Sequence, residues 1–268
     1  MKWKVALPMY NVSAAVRDGY ENLATSLVDR LRADGWRDDV EPVRETGDLT
    51  QFWSRPDLLL SQTCGYPYMT ALRARAQLLA TPCYDFPGCS GPEHASAIMT
   101  REGSGIDSLA DARGRIAAVN DAQSNSGMNL LRHAVAAFAR DGGFFSGVKH
   151  SGSHAASLAL LRNSEADVAA IDCVTLGYIR QEHPGRLNGL KVLRYSASTP
   201  GLPFIASHAL PQDWLISLRD ALLDPDDAVA ASMRALHING CRYRGEEDYA
   251  LVLRLEDEAR DCGYAALA

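Results

Sequence analysis

The residues of this chain best suited to chemistry are concentrated in one polar segment. Residues 120–129 read Asn-Asp-Ala-Gln-Ser-Asn-Ser-Gly-Met-Asn and connect a predicted strand to a predicted helix. The first turn of a helix carries unpaired N–H groups and a partial positive charge, so it binds anions without a lysine. Ser124 and Ser126 add hydroxyl donors, Asn125 adds an amide, and Gly127 allows a ligand to approach the backbone closely. The segment predicts an oxyanion site; a serine that only caps its helix is the alternative.

A second polar turn, residues 151–154, opens the next predicted helix with Ser-Gly-Ser-His. An imidazole at a helix start can donate to an anion from either ring nitrogen, depending on its tautomer or charge. We therefore predict that His154 binds the ligand, with a purely structural histidine as the alternative. Asp172 ends a following strand, and such strand ends face the ligand crevice of α/β proteins. Three roles fit Asp172: it orients His154, binds a cationic part of the ligand, or caps the next helix.

Two further loops leave the carboxyl ends of predicted strands. Pro8 to Asn11 follows the first strand, and Gln-Thr-Cys-Gly-Tyr at 62–66 follows another. We expect both loops to face one ligand cleft, which places Tyr10, Gln62, Thr63 and Tyr66 in the binding site. A phenol donor on an apolar ring suits a lid over a small anion, whereas core packing is the alternative for both tyrosines.

Signals for enzymatic activity are weak. The chain has no G-x-S-x-G, no G-x-x-x-x-G-K-[ST] and no H-E-x-x-H motif. Clustered serines without a base fit binding better than catalysis, so we expect no enzymatic activity. The cysteines lack the paired spacings of a zinc site, and we expect no metal or cofactor. Cys83 and Cys89 bracket a short loop, where a disulfide and two free thiols both remain open.

Short apolar runs alternate with helical patterns, which predicts an α/β fold with mainly parallel sheets flanked by helices. The predicted strands lie near residues 4–7, 57–62, 77–81, 96–101, 115–120, 167–172, 190–195 and 204–206. The longer predicted helices lie near residues 13–34, 213–223, 226–236 and 246–262, with shorter ones at 108–113 and from residue 126.

Two stretches rich in Pro and Gly, near residues 82–95 and 196–203, interrupt this pattern. They divide the chain into an outer lobe, residues 1–94 plus 200–268, and an inserted middle lobe, residues 95–199. A lobe inserted through two connections predicts a hinged clamp with its ligand in the interlobe cleft. One continuous doubly wound domain with long loops is the alternative.

The composition limits the choice of partner and location. A formal net charge of −6 argues against nucleic acid, which requires a basic face. No stretch approaches the ~20 apolar residues of a membrane span. The first residues, Met1 to Pro8, lack the features of a secretory signal. The expectation is therefore a monomer, periplasmic if a leader was removed or missed and otherwise cytoplasmic.

Several of these segments resemble, in the same order, the phosphonate-, phosphite- and phosphate-binding family of ABC-transporter solute-binding proteins. The matching segments are D-L-L-L-S-Q-T-C-G-Y-P (57–67), S-L-A-D-A-R-G-R-I-A-A-V-N (108–120), S-N-S-G-M-N (124–129), G-S-H-A-A-S (152–157), A-D-V-A-A-I-D (166–172) and P-G-L-P-F-I (200–205). The resemblance covers most of the chain up to about residue 207. It implies a two-lobed type II periplasmic-binding fold.

The resemblance also implies roles for single residues. The family's serine-rich helix start, which holds the phosphonate oxygens, falls on Ser124, Asn125 and Ser126. The family's histidine falls on His154, an acidic strand end on Asp172, and a tyrosine on Tyr66.

We therefore expect a solute-binding protein that captures a small oxyanion, phosphonate- or phosphate-like, by clamp closure. Its partner would be an ABC permease. Two alternatives remain: a cytoplasmic ligand sensor, and an enzyme on the same fold that resembles pyrimidine-precursor synthases.

Overall fold

The computed structural model describes residues 2–267 of the chain. The strands are β1 Lys2–Ala6, β2 Asp39–Pro42, β3 Leu58–Gln62, β4 Ala76–Tyr84, β5 Cys89–Ser90, β6 Glu93–His94, β7 Ser96–Arg101, β8 Ile116–Val119, β9 Gly147–His150, β10 Val168–Asp172, β11 Leu190–Tyr195, β12 Thr199–Pro200, β13 Phe204–Ser207 and β14 Ile238–Arg242. The α-helices are α1 Ala14–Ala33, α2 Leu49–Trp53, α3 Gly65–Pro67, α4 Leu130–Ala136, α5 His154–Arg162, α6 Cys173–Glu182, α7 Gln212–Leu223, α8 Asp227–Ala235 and α9 Glu246–Asp261. Tyr68–Leu72 and Asn125–Asn129 form π-helical turns, and Ala110–Ala112 and Pro184–Leu187 form 3₁₀ turns.

The chain divides into two compact units, each formed from separate stretches of sequence. The first contains the residues up to Asp85, Cys89–Glu93 and Pro200–Tyr249. The second contains Phe86–Gly88, His94–Thr199 and the residues from Ala250 onward. The sequence had assigned all of residues 200–268 to the outer lobe. The end of the chain instead belongs to the second unit, because Ala259 and Tyr264 are buried in that unit's hydrophobic core.

The first unit is built on a six-stranded sheet of order β14-β4-β13-β3-β1-β2. Strand β1 pairs in parallel with β2 and β3, whereas β13 is antiparallel to β3 and β4. All five residues of β3 are buried, which explains the apolar run of three leucines at its start. Helix α1 begins at Ser13, whose side chain accepts a hydrogen bond from Val16 N, and it buries one apolar face.

The second unit is built on a five-stranded sheet of order β11-β7-β10-β8-β9. Strands β8, β9 and β10 run in one direction, and β7 pairs antiparallel to β10. The three parallel strands end at Val119, His150 and Asp172, and each is followed by the start of a helix. Because carboxyl ends of parallel strands meet at one edge of a sheet, this topology collects three helix starts on the same side.

Several sequence-based boundaries differ from the structure. Strands β2, β9 and β14 were missed; each lies at the edge of its sheet. The two-residue strands β5, β6 and β12 were also missed, because they lie in the segments rich in Pro and Gly that were predicted to be irregular. Strand β4 continues to Tyr84, beyond the predicted end at residue 81. The helix predicted at 108–113 is only a 3₁₀ turn, and the one predicted from residue 126 begins with a π-helical turn at Asn125. Cys83 is a free thiol, so no disulfide closes the loop to residue 89 in this structure.

Among the helices of residues 2–267, none is both long enough and apolar enough to cross a bilayer.

Candidate functional site

The polar segment singled out in the sequence forms the first turn of the helix that continues into α4. Ser124 is its N-cap, and its hydroxyl accepts a hydrogen bond from Gly127 N at 2.9 Å. The Ser126 hydroxyl lies 3.4 Å from that of Ser124. Both serines and Asn125 are buried. Ser124 therefore does cap its helix, which was the alternative interpretation, while the first-turn N–H groups of Asn125 and Ser126 remain at the positive end of the helix.

The Asn125 side chain is held within the second unit. Its amide nitrogen donates to Thr199 Oγ1 at 3.0 Å, and its oxygen accepts from Asn129 Nδ2 at 3.1 Å. These bonds fix the Asn125 side chain, and its backbone N–H lies in the first turn of the helix. The glycine after Ser126 has a steric reason, because a Cβ on Gly127 would lie 1.7 Å from Asn120 Oδ1. An alanine there would force the Asn120 side chain to move.

The second predicted residue, His154, is joined directly to this helix start. It is the first residue of α5, whose N-cap Ser153 accepts from Ala156 N. Its Nε2 lies 3.0 Å from Ser126 Oγ. Burial lowers the pKa of His154, a shift that the Asp172 charge and the Ala170 carbonyl oppose only in part. The ring is consequently neutral at pH 7, and it couples two helix starts through one hydrogen bond.

Asp172 caps the third helix start. Its Oδ1 accepts from Val174 N and Thr175 N, both at 2.9 Å, so the capping role considered for Asp172 is present. Its Oδ2 lies 3.0 Å from His94 Nδ1, and only 2% of Asp172 and 3% of His94 is exposed. Burial by itself raises the pKa of Asp172, but the charge and hydrogen bond of His94, with smaller contributions from His154 and Thr175 N–H, lower it overall. The carboxylate is therefore ionised at neutral pH.

Two candidates of the first unit, Tyr10 and Gln62, are more deeply packed than a lid would be. Tyr10 is 2% exposed, stacked on Tyr20 at 6.2 Å and edge-on to Tyr84 at 5.5 Å, which is the core packing considered as its alternative. Gln62 is fully buried and donates to Leu202 O at 3.0 Å.

The other two first-unit candidates lie in the loop after β3. Thr63 is buried, and its hydroxyl reaches Cys64 O at 3.4 Å. Tyr66 is half-buried in α3, and its carbonyl accepts from Thr70 Oγ1. Of the two tyrosines that were singled out, Tyr66 is therefore the one that is not fully buried.

The first unit also contains a cavity of about 320 Å³. Its walls come from α1, β1 and the segment around β2, and they include Val5, Leu7, Val28 and Val40. None of the residues predicted to bind the ligand lines it. The cavity is therefore separate from the polar cluster of the second unit.

The match to a family model decides the relationship. Residues 5–249 match the phosphonate-binding family, described as ABC transporter, phosphonate, periplasmic substrate-binding protein. This chain belongs to the phosphonate-binding family. Membership in the phosphonate-binding family implies a small ligand and an ABC permease as partner. No curated protein sequence matches the chain.

Solved structures agree on the fold. A binding-protein component of an ABC phosphonate transporter from Pseudomonas aeruginosa superposes with a TM-score of 0.78 at 18% identity, covering 98% of this chain and 87% of that one. PhnD1 from Prochlorococcus marinus, in complex with methylphosphonate, gives 0.74 at 14% identity, covering 97% and 98%. XAC2383 from Xanthomonas citri, bound to chloride, gives 0.72 at 17% identity, covering 98% of each chain. The fold is the type II periplasmic-binding fold, as predicted. The two large sheets are mixed, however, and not mainly parallel as the sequence had indicated, because β13, β14, β7 and β11 pair antiparallel to their neighbours.

For this member of the phosphonate-binding family, sequence reasoning missed two residues of the second-unit cluster. His94 lies in the segment rich in Pro and Gly, which was interpreted as irregular, and its partner Asp172 is distant in sequence. Thr199, whose hydroxyl accepts a hydrogen bond from the Asn125 side-chain amide, lies in the other segment rich in Pro and Gly, residues 196–203. Neither residue has a local pattern that signals its role.

Proposed function

We propose that the protein binds a small oxyanion, phosphonate- or phosphate-like, at the helix starts of the second unit, and delivers it to an ABC permease. The observation that carries this proposal is the 3.0 Å contact between Ser126 Oγ and His154 Nε2, because it joins the starts of two helices in one cluster. Both helix starts direct first-turn N–H groups and positive dipole ends toward the same region. Family membership supports an ABC-transporter ligand of this class.

In this proposal the ligand is held by neutral donors. The first-turn N–H groups of Asn125 and Ser126 supply the backbone donors. The hydroxyls of Ser124 and Ser126 supply the side-chain donors, and His154 positions the Ser126 hydroxyl through its Nε2. Each charge-assisted hydrogen bond to a desolvated oxyanion contributes ~1.5–3 kcal/mol, so a few donors suffice for micromolar binding without a lysine.

Thermal-shift screening tests the ligand class. Phosphate, phosphite, methylphosphonate, an alkylsulfonate and a pyrimidine would be compared at equal concentration, with calorimetric titration of those that raise the melting temperature. We expect stabilisation by phosphorus oxyanions, since a bound ligand stabilises the folded state by mass action. Stabilisation by non-anionic ligands alone would contradict the proposal.

The predicted first-unit contacts remain proposals with their own test. Tyr66 has exposed surface, whereas Tyr10 is packed against other rings. Tyr66→Phe removes one phenol donor and is expected to weaken methylphosphonate binding about tenfold. Tyr10→Phe is the matched comparison, and an unchanged affinity in both variants would leave both tyrosines outside the site. The roles predicted for Gln62 and Thr63 are tested in the same way by Gln62→Leu and Thr63→Val.

Clamp closure also remains a prediction. If ligand binding shifts an open–closed equilibrium, the radius of gyration measured by small-angle scattering should fall when methylphosphonate is added. An unchanged radius at saturating ligand would contradict closure.

A second candidate function is hydrolysis, because the contact between Ser126 and His154 is also within the range of a nucleophile and its general base. Incubation with p-nitrophenyl esters and p-nitrophenyl phosphate tests it. Turnover that disappears in Ser126→Ala would support an enzyme. We expect none, since the oxygens of Asp172 are engaged by the α6 N–H groups and His94.

A further inference from the structure

An ionised carboxylate beside an anion site needs compensation. Asp172 is buried, and its charge acts on His154, whose ring contacts Ser126 at the proposed ligand site. As an order of magnitude, any two like unit charges that are about 7 Å apart at an effective dielectric constant of about 20 repel each other by an energy equivalent to roughly 50-fold in affinity. Salt screens such a buried pair only weakly. An uncompensated Asp172 would therefore oppose the ligand that the helix starts attract.

His94 in its protonated form is placed to provide this compensation. Its Nδ1 lies 3.0 Å from Asp172 Oδ2, and both side chains are almost fully buried. The other carboxylate oxygen accepts two N–H bonds from the start of α6. The imidazole and the helix start thus engage Asp172 from two sides, within the second unit.

Helix capping alone does not require this arrangement. Oδ1 makes both capping bonds, and an asparagine caps a helix about as well as an aspartate. A charged side chain and a buried histidine partner therefore add something that the cap does not need.

We propose that His94 is a positioning residue that offsets the charge of Asp172 and so sets both the affinity of the site for anions and its response to ligand charge. This inference rests on the proposed oxyanion function. His94 acts through Asp172 and does not touch the ligand.

The test is a double-mutant cycle with methylphosphonate in calorimetric titrations. His94→Gln removes the imidazole and is expected to weaken binding at least tenfold. Adding Asp172→Asn removes the carboxylate charge and keeps the cap, so His94→Gln/Asp172→Asn should recover to within threefold of the parent protein. A histidine with a purely structural role predicts losses that the second change does not reverse, and that result would overturn the proposal.

Ligand charge gives an independent readout. An electrostatic effect scales with the charge of the ligand, so the fold-change for a dianion should be about the square of that for a monoanion. At about pH 8.5, methylphosphonate and its monomethyl ester provide this pair. A His94→Gln loss of about 25-fold for the dianion should accompany about fivefold for the ester. Equal losses for both ligands would overturn the proposal.

Its failure can be told apart from failure of the proposed function. If the parent protein binds neither methylphosphonate, phosphite nor phosphate, the proposed function fails. If the parent binds and His94→Gln binds within twofold, only the role of His94 fails. If His94→Gln does not fold, His94→Gln/Asp172→Asn is compared with Asp172→Asn alone. Loss of the histidine should then lower the affinity for methylphosphonate less than threefold. A tenfold loss of affinity would overturn the proposal.

Discussion

Replacing Ser126 by alanine separates ligand binding from folding more sharply than any other single change. The substitution removes an Oγ that lies 3.0 Å from His154 Nε2 and 3.4 Å from Ser124 Oγ. It leaves the Ser126 carbonyl, which accepts from Ser96 Oγ at 2.9 Å, in place. The backbone of the helix start therefore keeps its anchor while one proposed ligand donor is lost.

The expected loss of folding stability is smaller than the expected loss of ligand-binding free energy. Losing one neutral hydrogen bond in a buried cluster costs about 1 kcal/mol of folding free energy, or about 2–4 °C in melting temperature for a protein of this size. Losing a charge-assisted bond to the oxyanion costs ~1.5–3 kcal/mol, which corresponds to roughly 10- to 150-fold in affinity. We expect Ser126→Ala to fold normally and to bind methylphosphonate at least tenfold more weakly.

Ser104→Ala is the matched control. The Ser104 hydroxyl contacts Thr100 Oγ1 at 3.1 Å and accepts a hydrogen bond from Ile106 N at 3.3 Å. The Ser104→Ala variant therefore also loses two polar contacts in the second unit. Ser104 lies near the opposite ends of the strands from the candidate site, since its partner Thr100 pairs with Val168 at the beginning of β10. Calorimetry should give an affinity within twofold of the parent. Equal losses in both variants, or an unchanged Ser126→Ala, would refute the reasoning.

Three further predictions concern pH, packing and capping. Burial lowers the pKa of folded His154, so the unfolded chain binds more protons than the folded protein at pH values around and below the ordinary pKa of 6.5. The unfolding free energy should therefore fall between pH 7.5 and about pH 5.5, and it should fall more steeply than in His154→Gln. Parallel curves for the two proteins would contradict this prediction. Gly177→Ala would place a Cβ 2.4 Å from Phe86 Cδ1. In denaturant titrations it should destabilise the protein by about 1–3 kcal/mol, although alanine has the better helix propensity, and adding Phe86→Leu should restore part of the stability. An unchanged unfolding midpoint would contradict this close packing. Asp226→Ala removes the side-chain acceptor that caps α8 by a 2.9 Å hydrogen bond from Val229 N. It should lower the stability measured in thermal melts by about 1 kcal/mol and leave the ligand affinity unchanged. An unchanged melting temperature would show that the cap contributes nothing to stability.

The fold was predictable where strands are buried on both faces. Strands β3 and β10 are entirely buried, and each begins with a run of apolar residues that can be recognised without knowledge of its neighbours. Strands β2, β9 and β14 were missed because edge strands are half-exposed and mix polar residues into short runs. Helix α9 was predicted correctly as a helix, but its periodicity could not show which unit its apolar face contacts.

The site was predictable where its residues are local in sequence. Ser124 to Gly127 form one helix start, and the pattern of hydroxyls, amide and glycine is visible in a single segment. The contact of His154 with Ser126 follows from the meeting of parallel strand ends at one sheet edge. The pair of His94 and Asp172 could not be predicted, because it depends on the antiparallel return of β7 beside β10, which brings the segment before β7 next to the end of β10.

The most direct test of an oxyanion site at these helix starts is the pKa of His154, measured by NMR titration of its imidazole with and without saturating methylphosphonate. A bound anion stabilises the imidazolium form, so the pKa should lie below 6.5 in the free protein and rise on binding. Methylphosphonate that binds while the His154 pKa stays unchanged would place the site elsewhere and contradict the central claim.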